Sequence, residues 1–261
     1  MITRFKNAWF RFCCCARTKR FRVREDDTFI VSYPRSGSTW VRFLLANLIR
    51  FETKTPVNFQ SLHEVIPDMM QKADGKRLQT MPSPRIIKTH DLYTPKFKKV
   101  IYIVRDGRDV MVSYYQYLTD RRHYQGTFLD FLSERYHWPS SWRAHVESWL
   151  SDEIQVKVLL VCYEQLHEHT APEVKRMARF IDLPCDSNRI EWAIANSSFE
   201  HMHQTEKKQG VGAKALRERR FVRRGVVGDW QHNFHGTHKK VFKNSANPIL
   251  LQLGYVETED W

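Results

Sequence analysis

A buried strand runs through a polar, glycine-containing loop into a helix near the start of this sequence, an order that few folds accommodate. Thr28-Phe-Ile-Val-Ser32 joins β-branched and aromatic residues without alternation, the pattern of a strand covered on both faces. It breaks at Tyr33-Pro34, and beyond Gly37 the apolar residues Val41, Leu44, Leu45 and Leu48 fall along one helical face. Between them lies Tyr33-Pro-Arg-Ser-Gly-Ser-Thr-Trp40. Backbone N–H groups at a helix start, aligned with the helix dipole, form an anion site. Gly37 lets the backbone come close, Ser36, Ser38 and Thr39 add hydroxyl donors, and Arg35 adds full positive charge. A turn capped by one Ser or Thr explains one hydroxyl, but not three together with a glycine and a basic residue. The loop is therefore read as a phosphate site. It is not a Walker A loop, which needs two glycines and a lysine before the hydroxyl residue, and no GxGxxG occurs.

Strands and helices continue to alternate. Arg85–Lys88 and Val100–Val104 read as strands, the second ending in Arg105-Asp-Gly-Arg-Asp109 before an amphipathic helix through Tyr117. Helices are expected at 127–136 and 140–150, then a strand over Val156–Cys162. Thr170 with Glu173, and Pro172 in the first turn, predict a capping-box helix start, and that helix ends before Pro184. This order implies a parallel sheet with helices on both faces and ligands beyond the carboxyl ends of the strands. Residues 53–84, with four prolines, read as loops and a short helix facing a substrate.

The 261 residues, 42% hydrophobic, suffice for one substantial core. A basic tail over 1–24 and a single domain over 25–261 are expected. Of the formal charge of +13, most sits in two places: residues 1–24 carry 8 basic and no acidic side chains, and 205–224 carry 8 basic and 2 acidic. Each is read either as a solvated segment or as a patch for an anionic partner. The tail, with Trp9, Phe10, Phe12 and Cys13-Cys14-Cys15, suits weak peripheral contact with an anionic membrane or acylation. No apolar run approaches the ~18–20 residues of a membrane span, and the start lacks the features of a secretory signal. The five cysteines show neither a disulfide framework nor zinc spacing. A soluble, cytoplasmic protein is expected.

The loop at Arg35 resembles that of the sulfotransferases that use 3′-phosphoadenosine 5′-phosphosulfate (PAPS), of cytosolic or bacterial small-molecule type. Tyr33–Trp40 is similar to their 5′-phosphosulfate loop, with Arg35 where many eukaryotic members have lysine. Lys88-Thr89-His90 resembles the catalytic strand end, and Arg105 with Ser113, eight positions on, the 3′-phosphate segment. Cys162-Tyr163-Glu164 and Ser197-Ser198-Phe199-Glu200 resemble adenine-contacting segments, and Phe221–Trp230 the loop that closes over the nucleotide. The likeness runs from about Thr28 to Phe234.

The resemblance implies a P-loop-like three-layer α/β fold with a central parallel sheet flanked by helices. It implies PAPS as co-substrate and 3′-phosphoadenosine 5′-phosphate (PAP) as product, with no metal. It places Arg223, Arg224 and Gly225 against the 3′-phosphate beside Arg105 and Ser113, and assigns Trp40 and Phe199 to sandwich the adenine. His90 is the expected base and Lys88, two residues earlier on a strand, projects to the same side. Arg35 acts as an electrostatic clamp on the leaving phosphate, since a guanidinium does not readily give up a proton. Arg108 is read as a surface charge. The pairs His167/His169, His201/His203 and His232/His235 lack the spacing of a metal site.

A small-molecule acceptor is expected, its pocket walled by 53–84, 118–141 and 205–220, with Tyr93, Tyr114, Tyr115 and Trp142 hinting at an apolar surface. Two other readings stand beside this one: a nucleic-acid module built on 205–224 with Phe221 and Trp230 stacking, and a small-molecule kinase. No nucleic-acid partner is expected, and because the usual Lys-x-x-x-Thr-Val-x-x-x-Glu dimerisation segment is missing after Phe234, the oligomeric state is open.

Overall fold

A computed structural model describes residues 21–71, 74–133, 137–209 and 225–261. Phe221, Arg223, Arg224 and most of the amino-terminal tail therefore lie outside the described residues. Four strands, β1 (Thr28–Ser32), β2 (Ile86–Thr89), β3 (Lys99–Val104) and β4 (Lys157–Cys162), form one parallel sheet in the order β2-β1-β3-β4.

Side chains alternate along each strand, so neighbouring residues feed opposite layers. Phe29 and Val31 join Tyr102, Val104 and Ile87 in one apolar layer, while Ile30 joins Ile101, Ile103 and Val161 in the other. The second layer is closed by α1 (Ser38–Ile49), then the short α2 (Leu62–Val65), and by α8 (Thr170–Phe180) and α9 (Ser187–Ala195). The first is closed by α4 (Gly107–Asp120), α5 (Phe128–Ser133), α6 (Trp142–Leu150) and α11 (Gly236–Gln252). The remaining helices are α3 (Asp74–Thr80), α7 (Tyr163–Glu168) and α10 (Phe199–Gln209). This is the three-layer arrangement that the uninterrupted apolar strands require.

β2 and β3 lie on opposite sides of β1, so the chain reverses direction across the sheet there. The crevice at such a reversal, beyond the carboxyl ends of the strands, is where α/β sheets place ligands. Every segment carrying a candidate site residue among the four strand ends opens onto it.

One boundary differs from expectation. Thr170 is the first residue of α8 rather than its cap: the cap position is His169, with no side-chain cap bond, and the Thr170 hydroxyl donates to the Leu166 carbonyl at 2.9 Å. The preceding helix α7 ends so close that its last turn supplies the acceptor. Side-chain caps occur instead at Asp106, Ser141 and Asp186, each accepting from a backbone N–H of the helix it starts.

Buried His145 and half-buried His137 tie the fold to pH. Burial holds His145, which shares a 3.0 Å hydrogen bond with the Tyr102 hydroxyl, down to about 3. Burial likewise lowers His137 to about 4, although its Nε2 donates to the Phe131 carbonyl. The unfolded chain binds these protons below pH ~6.5 while the folded chain refuses them, so their stabilising effect is present above that pH and is lost as pH falls toward 4 and 3. Urea midpoints should therefore fall steadily from pH 7 to 4.5, and His145→Asn should flatten that decline. A midpoint independent of pH over this range would contradict the burial of neutral imidazoles.

Candidate active site

The loop after β1 and the start of α1 form the floor of the crevice. Gly37 has φ 98°, and a Cβ there would lie 2.5 Å from Tyr163 Cδ2, so only glycine fits. Arg35 sits at φ 70°, a region that costs a residue with a side chain about 1–2 kcal/mol. Gly37 supplies no side-chain cap to α1. The first-turn N–H groups at Ser38, Thr39 and Trp40 therefore keep the capacity to bind an anion.

β1 and β3 are adjacent, which brings their following loops together: Arg105 Nη1 donates to the Arg35 carbonyl at 3.4 Å. Arg105 Nη2 donates to Asp109 Oδ2 at 3.2 Å and to the Val226 carbonyl at 2.9 Å, and its guanidinium lies 4.4 Å from the Tyr163 ring centre. Its buried Nε has no hydrogen-bond partner among the described residues, a donor available to an anion. Ser113, one α4 turn and more further in, accepts from Arg35 Nε at 3.2 Å, and the Arg35 guanidinium also lies 4.9 Å from the Tyr117 ring centre.

His90 follows β2. Its Nδ1 is 2.6 Å from the Ser32 carbonyl, which only accepts, so Nδ1 carries the proton and Nε2 is left as the lone-pair nitrogen of the neutral ring. Burial, and next Lys88, push its pKa well below the usual histidine value; Asp68 and the Ser32 bond oppose them. The imidazole is neutral at pH 7. Trp138 packs edge-on against it at 5.6 Å. Lys88 does reach the same cavity, and its Nζ pairs with Asp68 Oδ2 at 3.0 Å.

The cavity joining these groups holds about 390 Å³. It is lined by Arg35, Gly37, Ser38, Thr39, Trp40, Lys88, His90, Arg105, Ser113, Tyr163, Phe199 and Gly225 from the expected set. Arg42 adds a fourth basic side chain, and Asp68 is the sole acidic residue among the described lining residues. Such a balance favours an anionic ligand. Among the described residues no cluster of three or more His, Cys, Asp or Glu is placed to hold a metal ion.

Not every expected residue reaches the cavity in the same way. Ser36 and Ser197 are buried but outside the lining; Ser197 Oγ accepts from Asn47 at 3.0 Å between α1 and the start of α10. Trp40 and Phe199 are inclined at 52° with centres 6.0 Å apart, so they touch each other and a base between them requires the rings to part. Phe199 fills the space over Gly225, whose Cβ would lie 2.0 Å from its Cζ.

Arg108 is no surface charge: it is buried, paired with Asp106 at 2.7 Å, bonded to the Tyr255 carbonyl and set against the rings of Trp230 and Trp261 at 3.9 and 4.6 Å. Of the aromatics expected in the acceptor wall, Tyr114 lines the cavity, but Tyr93 packs on Trp149, Tyr115 on Tyr124 and Phe131, and Trp142 over Gly107. Tyr117 and Trp138 take that place. Sequence periodicity cannot separate them, because α4 is buried on most of its circumference.

Asp109 has a role that its place in the sequence does not reveal. It accepts from the Gly228 and Trp230 N–H groups at 2.9 Å each as well as from Arg105, and so ties the carboxyl-terminal loop to the β3 end. An acidic residue in the first turn of a helix is usually read as a dipole partner, which hides this role.

Known proteins resemble this chain in fold and sequence. Mouse Sulfotransferase 1B1 is 28% identical over 251 residues, covering 87% of this chain and 83% of that protein. Mouse Sulfotransferase 4A1 is 31% identical over 229 residues, covering 82% and 76%. The crystal structure of mouse sulfotransferase SULT7A1 complexed with PAP shares the fold at a TM-score of 0.68 and 25% identity, over 90% of this chain and 88% of that one. A family model described as sulfotransferase domain matches residues 25–250, and with it the loop, the strand ends and the cavity above: the chain belongs to the sulfotransferase family of enzymes.

Proposed function

We propose that the enzyme transfers the sulfuryl group of PAPS to a hydroxyl or amine of a small organic acceptor, with His90 as general base. The observation that carries this reading is the meeting of Arg35, Arg105 and the uncapped start of α1 with a neutral imidazole in one cavity. The PAP complex of the structural neighbour supports PAPS as the donor.

A nucleotide with phosphates at both ends fits the two strand ends. Arg35 and the Ser38–Trp40 N–H groups hold the 5′ end, while Arg105 and Ser113 hold the 3′-phosphate through charge-assisted bonds. Arg223, Arg224 and Phe221 belong to the same proposal, as does Gly225, which keeps the backbone close beneath Phe199. Trp40, Phe199 and Tyr163 offer aromatic surface to the adenine.

In the reaction, His90 Nε2 takes the acceptor proton as the acceptor oxygen or nitrogen bonds to sulfur. The bond from sulfur to the 5′-phosphate oxygen breaks, and its electron pair leaves on PAP. Lys88 and Arg35 stabilise the charge that develops on that oxygen, so positioning and electrostatics supply most of the catalysis. Phe59, Leu62, Met70, Tyr117, Leu118 and Trp138 give the acceptor an apolar enclosure. A cytosolic location and a small-molecule rather than nucleic-acid partner complete the proposal; no helix among the described residues is long and apolar enough to cross a membrane.

Calorimetry with PAP tests the donor site, and a screen of hydroxylated and amine metabolites with PAPS, read as the mass gain of one SO₃, tests transfer. Micromolar PAP binding and at least one sulfated product are expected. Absence of PAP binding at millimolar concentration would refute the reading.

A further inference from the structure

Residues 66–71 run along the outer edge of β2 and place a carboxylate inside the cavity. The Lys88 N–H donates to the Pro67 carbonyl at 2.8 Å and the Met69 N–H to the Lys88 carbonyl at 2.9 Å, so Asp68 stands opposite Lys88 as a one-residue parallel bridge. The segment is pinned from two further directions. Arg42 of α1 donates to the Ile66 carbonyl through Nε at 3.1 Å and through Nη2. Asp74 of α3 accepts from the Asp68 N–H at 2.8 Å and is itself paired with His63 and Arg77. Asp68 Oδ1 accepts from Met70 N–H, and Oδ2 is spent on Lys88.

Building on the sulfotransferase reading, we propose that Asp68 is a positioning residue that keeps the Lys88 ammonium charged and aimed at the leaving oxygen. A lysine that neutralises charge on a leaving group must carry its proton, and Lys88 sits where it tends to lose it. Both side chains of the pair are about nine-tenths buried, at 8% and 10% exposure. Burial is the main influence lowering the Lys88 pKa and the neighbouring Arg42 adds to it, whereas Asp68 is the first of the groups that raise it.

The other groups around the pair do not substitute for Asp68. Arg42 from α1 repels the ammonium, and Asp91, beyond His90, is the smallest of the opposing influences. His90 is neutral, and His145 of α6 faces His90 as a second neutral ring. His63 of α2 and Asp74 of α3 stand behind Asp68. The carboxylate itself cannot easily pick up a proton: burial raises its pKa, but Lys88, then Arg42 and the hydrogen bond from the Met70 N–H, outweigh this and bring it down to about 2. It therefore stays charged across the working pH range.

The test is Asp68→Asn, which keeps the acceptor for Met70 and the backbone bridge but removes the charge. PAP release from PAPS is followed from pH 6 to 10 with 2-naphthol present, so transfer to the phenol or to water is counted alike. An opposite charge at this range shifts a pKa by about 1–3 units. The alkaline limb of kcat should accordingly move down by about one unit or more, with a loss of about tenfold on that limb. Asp68→Glu should restore the limb in part. PAP affinity by calorimetry should change less than about threefold, since the pair faces the transferred group rather than the 3′-phosphate. In a Lys88→Arg background the same substitution should move no limb, because a guanidinium keeps its proton throughout.

A folded Asp68→Asn enzyme, with a melting temperature close to the parent, whose alkaline limb stays in place would overturn the proposal. So would a limb that shifts equally with arginine at 88. If the parent enzyme neither binds PAP nor releases it from PAPS, the sulfotransferase reading fails rather than the role of Asp68.

Discussion

His90→Ala should lower turnover by roughly 10²–10⁴-fold while PAP affinity stays within about threefold, a split measured by steady-state kinetics and calorimetry on the same preparation. The reason is geometric. The Ser32 carbonyl fixes the proton on Nδ1, so Nε2 is the nitrogen able to take a proton, and burial together with Lys88 keeps the ring neutral. A neutral ring contributes little to holding an anion, so its removal spares the nucleotide. His90→Gln, which can still donate to the Ser32 carbonyl but accepts no proton, should be nearly as slow. The acid limb of kcat/KM should lie below pH 6.5, as a lowered histidine pKa requires. A His90→Ala enzyme retaining more than a tenth of the parent rate would remove His90 from the base role.

Arg105→Lys should weaken PAP binding by about 10²-fold, corresponding to about 3 kcal/mol. The substitution keeps one positive charge but loses the planar fork, and the fork here serves three partners at once: Asp109, the Val226 carbonyl and the Arg35 carbonyl. Its unpaired Nε is the donor that the 3′-phosphate would engage. The guanidinium also bonds the Val226 carbonyl directly and the Asp109 carboxylate that holds Gly228 and Trp230, so the carboxyl-terminal loop loses its tie to the β3 end when the guanidinium goes. Arg105→Ala should be worse still, because it leaves a buried carboxylate without its cation. Calorimetry with PAP measures both variants; unchanged affinity in Arg105→Lys would show that the 3′ end binds elsewhere.

Much of the site could be read from the chain because its residues are local to strand ends. Arg35, Gly37, His90, Arg105 and Tyr163 each follow an apolar strand within a few positions, Lys88 is the last residue but one of β2, and a parallel sheet sends all those ends to one edge. The acceptor wall was less legible. Tyr114, Tyr115 and Tyr117 lie on one buried helix, and nothing in their order tells which faces the cavity and which faces α5. Asp68 was hidden in a proline-rich stretch, since a single bridge beside β2 leaves no periodic trace.

The layered α/β fold, the polar glycine-containing turn after β1 and the residue types at each strand end follow from the chain read segment by segment, because burial on both faces and helix-start chemistry are properties of contiguous residues. The charge state and aim of those residues are set by contacts between segments far apart in the chain. Lys88 is governed by Asp68 from another segment, His90 by the carbonyl of Ser32 on the neighbouring strand, and Arg105 by a loop more than a hundred residues away. Proton affinity depends on what a group faces in space, and contacts between distant segments exist only once the sheet has set their register.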